Sequence, residues 1–428
     1  MAATLPPGPA APTVAQTAEW ILRPTALLRR CHARHGEPFT LRLAWMDGPL
    51  VLVSDPADVK RLFGGDPDVL HGGASSAVLE PLVGRHSVLL LDGEAHMTER
   101  RALLPAFHGA ALARVRASMA QLAREEVAGW PARRPIRTLE RMQSLTLRII
   151  LRALLGLAAG PDRDALEAAT GRALAHTNAL GRLLAMSVAE TGPGQPLWAA
   201  FRRDIAALDA ALARALQRRA PGTEPAIIDG LEAMHPSEER LRDQLVTLLA
   251  AGHVTTAAAL SWACERLARH PAVQARLRVE TALGDDAYLD AVVKEALRIR
   301  PVLVLAPRKL AAPFAIAGHE LPAGVHVAAC PYLVHRRADL YGPDPLAFRP
   351  ERFLGAPAPD HGWIPFGGGV RRCLGAAFAT LEMKEVLRAV VARVALAPAG
   401  GHGERMRRRG VTLTPAREGR VLAEPLVC

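Results

Sequence analysis

Residues 364–375 read Ile-Pro-Phe-Gly-Gly-Gly-Val-Arg-Arg-Cys-Leu-Gly, and an apolar helix pattern follows at once. Three consecutive glycines from Gly367 to Gly369, ahead of a lone cysteine, let the backbone approach a flat ligand because no Cβ intervenes. They also leave main-chain N–H groups free to point at a thiolate. The pattern predicts a helix from about Leu374 to Leu396, which puts Cys373 at its positive end. That position favours an anionic sulfur and lowers its pKa. Phe366 can pack against an edge of the ligand, and Arg371 can pair with an acidic group on it. No second Cys or His lies within zinc-ligand spacing, so zinc is not expected. A solitary thiolate at a helix entrance, beside an arginine, is the arrangement that thiolate-ligated haem requires.

Phe366-x-x-Gly369-x-Arg371-x-Cys373-x-Gly375 resembles, at every fixed position, the haem-binding signature of the cytochrome P450 family. The resemblance implies that Cys373 is the axial ligand of the iron of haem b. Phe366, Gly367, Arg371 and Gly375 would then surround the cofactor.

A second chemical stretch is Leu249-Ala-Ala-Gly-His-Val-Thr-Thr-Ala257, inside a helix pattern from about Glu238 to His270. Small and β-branched residues at its centre have poor helix propensity. Such a site tolerates a local opening of the ladder, with the Thr255 hydroxyl bonding the Ala251 carbonyl. The plainer alternative is a buried helix that uses small residues to pack closely. The stretch resembles the family's oxygen-binding Ala-Gly-x-Asp/Glu-Thr-Thr motif, which implies catalytic places for Ala251, Gly252 and Thr255. Thr255 would be the alcohol that steadies dioxygen and relays protons. The acid position holds Val254, a departure from the motif.

His96 and Arg100 are four apart and share a helix face. They resemble the family's His-x-x-x-Arg pair, which donates hydrogen bonds to a haem propionate. Arg308 follows Val302-Leu303-Val304, and the resemblance implies that Arg308 reaches a propionate while the apolar residues face substrate. With Leu248 and Ala251, these three would line the substrate pocket. The irregular, glycine-containing stretch from His71 to Leu90 is too long for a simple connector, and by resemblance it covers that pocket. Glu295-x-x-Arg298 resembles a family pair locked by a later arginine, for which Arg352 in Phe348-Arg-Pro-Glu-Arg-Phe353 is the expected partner.

These motifs need a large, mainly helical scaffold. The chain has 428 residues, of which 50% are hydrophobic and 4% aromatic, so Leu, Val and Ala must fill its interior. Helical patterning runs from about Ala15 to Ala33 and covers nearly all of 110–235, with breaks near 133–135, 160–161, 192–195 and 221–225. Short β patterns occur at Phe39–Ala44, Leu50–Ser54, Phe314–Ala329 (a hairpin with its turn near Leu321–Gly324) and residues 411–425 (a terminal pair). The basic run Arg405–Arg409 is expected to be solvated, and the proline-rich residues 1–14 to form a flexible arm. No internal repeat or linker stands out, so 1–428 reads as one domain. The resemblance implies the cytochrome P450 fold, mainly α with small β-sheets, with haem between the central helix and the Cys373 loop.

Five cysteines without paired spacing argue for a reducing, cytoplasmic compartment. No signal-peptide pattern and no membrane-length apolar run is found, so no membrane anchor is expected. The formal net charge is +11. Without a nucleic-acid recognition motif, this excess suits an acidic protein partner. The resemblance implies a monomeric haem-thiolate monooxygenase that inserts one oxygen atom of O2 into an apolar small molecule. Terpenoid, steroid and fatty-acyl substrates suit the composition equally. Electrons would come from a small acidic ferredoxin and its NAD(P)H-dependent reductase, because the chain carries no flavin, iron–sulfur or nucleotide-binding signature. Arg100, Arg101, Arg371 or Arg372 would contribute to the docking face, with propionates as the competing use of Arg100 and Arg371. The alternatives are peroxide-driven oxygenation, a redox-neutral haem enzyme, and a non-catalytic haem ligand sensor.

Overall fold

The computed structural model describes residues 5–177, 195–219, 226–234, 237–355 and 357–426. The helix breaks expected at 192–194 and 221–225, residues 1–4 of the arm, and Cys428 lie outside these residues.

The helix Glu238–Arg269 runs through the main core, with most of its circumference buried. A helix apolar on every side needs neighbours on every side. It lies against the helix Thr138–Leu155 and against Ala376–Arg393, the helix that follows Cys373. It is also the one described helix long and apolar enough to cross a membrane by length and composition, and its burial accounts for that composition. Pro271 opens the next helix, Pro271–Ala282, directly after the central helix stops at Arg269.

Among the described residues, four sheets hold the remaining machinery. The five-stranded one orders Phe39–Leu41, Leu50–Val53, His326–Ala329, Ala306–Leu310 and Leu70–His71. Leu50–Val53 and His326–Ala329 pair in parallel, while the other neighbours are antiparallel. Arg308 lies opposite Val327, and His71 opposite Lys309. The sheet therefore sets Arg308 beside the start of the 72–79 segment.

Several boundaries differ from the sequence expectation. The first helix is two, Thr13–Leu22 and Pro24–His35, because a proline disfavours α geometry at the residue before it. Arg23 accordingly leaves the helical region, with φ −142° and ψ 54°. The described part of the arm is not loose: Pro6 is buried, and Pro6 and Pro7 accept hydrogen bonds from Thr40 Oγ1 and N. The cysteine helix stops at Arg393, and Val394–Pro398 pairs as a strand with Arg420–Pro425, which also pairs with Pro135–Arg137. The expected terminal pair is thus split, since Thr412–Pro415 pairs with Met406–Arg409. The hairpin from Phe314 turns at Ala317–Gly318, both with positive φ, rather than near 321–324. Within the basic run, Arg408 is drawn in among the rings of Trp20 and Trp45, and burial lowers its pKa to about 10.

Candidate active site

Cys373 sits in a loop closed by its own N–H donating to the Phe366 carbonyl at 2.9 Å. The edge of the Phe366 ring is held against Trp363, with centroids 6.0 Å apart. Gly367 and Gly369 have φ of +65° and +63°, a region L side chains rarely adopt. The glycine run was expected to admit a flat ligand, but two of its members answer to the protein itself. A Cβ on Gly368 would lie 2.1 Å from the Phe63 ring, and one on Gly369 would lie 1.9 Å from the Phe63 carbonyl oxygen. The helix Pro56–Phe63 thus dictates both glycines.

The Cys373 side chain remains accessible. Even so, lost hydration dominates its acidity and pushes the thiol pKa up, against the Gly375 N–H, Arg100 and Arg372, which pull it down. The helix entrance alone therefore does not make a thiolate, contrary to expectation. A coordinated metal ion would, because ligation deprotonates a thiol outright.

Beside this loop the fold gathers positive charge. His96 is buried on the helix Gly93–Leu103. Its pKa falls to about 4, first from desolvation, then from Arg371, Arg100 and Arg308, with Asp92 opposing. Arg308 is 6% exposed and donates to the carbonyls of Pro307 (2.8 Å) and Gly368 (3.3 Å). Burial and Arg371 lower its pKa to about 10. Arg100 is depressed by desolvation and feels Cys373 and Arg372. Arg371 differs from expectation, because its guanidinium is already taken by Asp92 and by the carbonyls of Val88 and Leu91. Asp92 is the one carboxylate among the influences on His96, Arg308 and Arg371. One protein anion against three arginines leaves the site short of negative charge, and His96, neutral with so low a pKa, adds a hydrogen-bond donor. A planar cofactor with two carboxylates and a thiolate-seeking iron fits this donor set.

The central helix brings Ala251, Val254 and Thr255 to partly open positions. Thr255 Oγ1 donates to the Ala251 carbonyl at 2.8 Å. The segment stays α-helical throughout, so this bond forms without opening the ladder. Gly252 faces elsewhere: its Cβ would come 3.3 Å from Ile150 Cδ1, so the residue serves close packing on Thr138–Leu155. His253 is buried against the same helix, with Nδ1 3.0 Å from Thr146 Oγ1, and desolvation lowers its pKa to about 4.

The pocket residues are divided. Leu248 and Val302 belong to the main core and Val304 to a second core cluster, while Leu303 is 37% exposed. Leu303 alone of the three loop residues is open; Val302 and Val304 point into packed core, as alternation along an extended segment requires.

Behind the site, Glu295 and Arg298 are both fully buried, on the helix Ala287–Ile299. Arg298 Nε and Nη2 donate to the two Glu295 oxygens at 2.6 and 2.7 Å. Further donation goes to the carbonyls of His335, Pro345 and Ala347. Arg352 Nε lies 3.4 Å from Glu295 Oε1, which also accepts the Arg349 N–H at 2.8 Å. All three expected members meet here.

Two acidic residues escaped the sequence analysis. Asp92 was given no role there, and nothing local marks its distant partners. Glu382 lies on the cysteine helix, fully buried, with neither carboxyl oxygen bonded at ordinary geometry and the Thr256 hydroxyl facing it. Burial raises its pKa well above the usual carboxyl range.

Residues 6–422 match the family model described as Cytochrome P450. Cytochrome P450 135B1 of Mycobacterium tuberculosis is 40% identical over 434 residues, covering 97% of this chain and 91% of that protein. Cytochrome P450 135A1 of the same organism is 35% identical, with 96% and 93% covered. Among solved structures, CYP175A1 from Thermus thermophilus superposes with a TM-score of 0.77 at 30% identity, over 95% of both chains. The retinoic acid-bound cyanobacterial CYP120A1 shares the fold at a TM-score of 0.86 and 24% identity, over 99% of this chain and 100% of that one.

Proposed function

The chain belongs to the cytochrome P450 family, a haem monooxygenase family, and from that premise we propose that it oxygenates an apolar small molecule with electrons from an acidic ferredoxin. The observation that carries this reading is the accessible sulfur of Cys373 beside the arginines Arg100 and Arg308 and the buried, neutral His96, which can donate one hydrogen bond. In the proposal these residues would hold haem b, with Cys373 as the ligand of its iron and Arg100, Arg308 and the neutral His96 as donors to its carboxylates. The cofactor supplies dioxygen activation, to which a thiolate ligand contributes electron density.

The protein's part is positioning, proton delivery and exclusion of water. The Gly375 N–H directed at the sulfur stabilises negative charge there. The Thr255 hydroxyl, donating to Ala251 O, keeps its lone pairs available to accept a hydrogen bond from water or from a protonated oxygen in the pocket. Val254 cannot hold a proton, and His253 is turned into the helix interface. Proton delivery therefore falls to Thr255 and water. Ala251 and Leu303 offer apolar surface to substrate. The net charge of +11, with Arg101 and Arg372 both exposed, favours an acidic electron donor. Residues 1–428 act in this proposal as one catalytic unit.

The test is turnover of a substrate found by spectral screening, driven by NAD(P)H with a surrogate ferredoxin and reductase, against turnover on peroxide alone. Product only in the first arm is expected. Product on peroxide alone, or without any oxidant, would replace the proposed electron route with one of its rivals.

A further inference from the structure

Asp92 occupies the N-cap of the helix Gly93–Leu103, yet its side chain makes no capping bond to that helix. An aspartate there ordinarily accepts from the first-turn N–H groups. Instead the carboxylate reaches across the loop: Oδ1 accepts the Gly73 N–H at 2.8 Å, and Oδ2 accepts the Ala74 N–H at 2.9 Å. Oδ1 also accepts from Arg371 Nη2. Both ends of that ion pair are largely buried, with side chains 11% and 19% exposed.

The segment is shaped to permit this. A Cβ on Gly72 would fall 2.8 Å from Arg371 Nε, and one on Gly73 would fall 2.1 Å from the Leu90 carbonyl oxygen. Ser76 Oγ donates to Gly72 O at 3.1 Å, and Ser75 Oγ lies 3.1 Å from His326 Nδ1 on the sheet. One carboxylate therefore joins the 72–79 segment to an arginine two residues before Cys373.

The geometry points to Asp92 as a positioning residue that fixes Arg371, and through it the loop that carries Cys373, and, with the same two oxygens, pins the covering segment at Gly73 and Ala74. This rests on the haem-thiolate reading above. A carboxylate accepts along about four lone-pair directions, so three donors can share it without competing. Loss of its charge strands a largely buried guanidinium and frees two backbone donors at once.

The experiment uses haem-loaded protein whose ferrous carbonyl spectrum has first been recorded. Haem loss is followed by transfer to excess apomyoglobin, and amide exchange of residues 70–79 by mass spectrometry. Asp92→Asn is expected to release haem about tenfold faster, the loss typical of one charge-assisted hydrogen bond, and to speed exchange at 73–79. Ser75→Ala, which loosens the segment without touching Arg371, is expected to speed exchange while haem loss stays within about twofold of wild type. Asp92→Glu keeps the charge for Arg371 but displaces the acceptors from Gly73 and Ala74. It is expected to loosen the segment with near-normal haem loss. Unchanged haem loss in Asp92→Asn, unchanged exchange in Asp92→Glu, or haem loss in Ser75→Ala equal to that in Asp92→Asn would each overturn the proposal. A wild-type spectrum without thiolate character would overturn the functional reading first, and this inference with it.

Discussion

At the scale of single residues, the proton path is the point where this chain departs from its motif. Val254 stands where an acid is expected, and His253 is spent on Thr146 in the helix interface. Thr255 is left with an accessible hydroxyl. Thr255→Ala is expected to lower sharply the ratio of product formed to NAD(P)H consumed, since one positioned proton-transfer group contributes about 10²–10⁴-fold. Val254→Glu is expected to raise it. Measuring that ratio for wild type and both variants on one substrate checks this, and a ratio that neither substitution moves would place the proton route elsewhere. Thr255 was legible because its hydroxyl bond is local, four residues along one helix. The packing of Gly252 on Ile150 was not legible because the two are 102 positions apart in the sequence. Phe63 likewise dictates Gly368 and Gly369 through a contact that no local pattern encodes. The acidity of Cys373 was misjudged for a related reason: a helix entrance is visible in sequence, whereas the burial that outweighs it is not.

At the scale of elements, two buried carboxyl groups behave in opposite ways. Glu295 is bonded into a network with Arg298 and Arg352 that ties the helix Ala287–Ile299 to the loop before Cys373. Glu295→Ala strands Arg298, which is fully buried, and removing one partner of such a pair typically costs about 3–5 kcal/mol. The expected outcome is failure to accumulate folded, haem-loaded protein, checked by haem content per chain. Glu382 instead keeps its proton. Because burial raises its folded pKa above the ordinary 4.5, its contribution is fully present below about that pH and is lost as pH rises through the raised value. Its sign is opposite to that of His253, held at about 4 against an ordinary 6.5. The His253 contribution is present above about pH 6.5 and lost as pH falls through 4. Glu382→Gln should therefore gain melting temperature over wild type progressively as pH rises above about 4.5. Parallel melting curves across that range would show that Glu382 titrates normally. Helix cores and motif order were readable from periodicity. Strand partners were not: residues 412–415 and 420–425 lie close in sequence but join different sheets, and pairing of that kind is settled by tertiary packing.

At the scale of the whole molecule, the sheet, the central helix and the cysteine helix bring one sulfur, one hydroxyl and a cluster of cations to a common core boundary. Leu374 and Phe366 beside Cys373 pack on the same cluster as Val254 beside Thr255. The fold expectation held at this scale because four separate motifs stand in one order along most of the chain, and residues 6–422 match the family model. Substrate identity did not emerge, since the lining depends on which side of an extended segment faces inward, as Leu303 against Val302 and Val304 shows. The central claim is that Cys373 alone binds the iron. It is tested by the ferrous carbonyl absorption spectrum of wild type, Cys373→His, and Ser variants of Cys31, Cys264 and Cys330. The three buried cysteines belong to the core, and burial raises their pKa, to about 12 for Cys264 and Cys330. The account predicts a thiolate-type Soret band in wild type and in all three Ser variants, and its loss in Cys373→His; retention of that band in Cys373→His would contradict it.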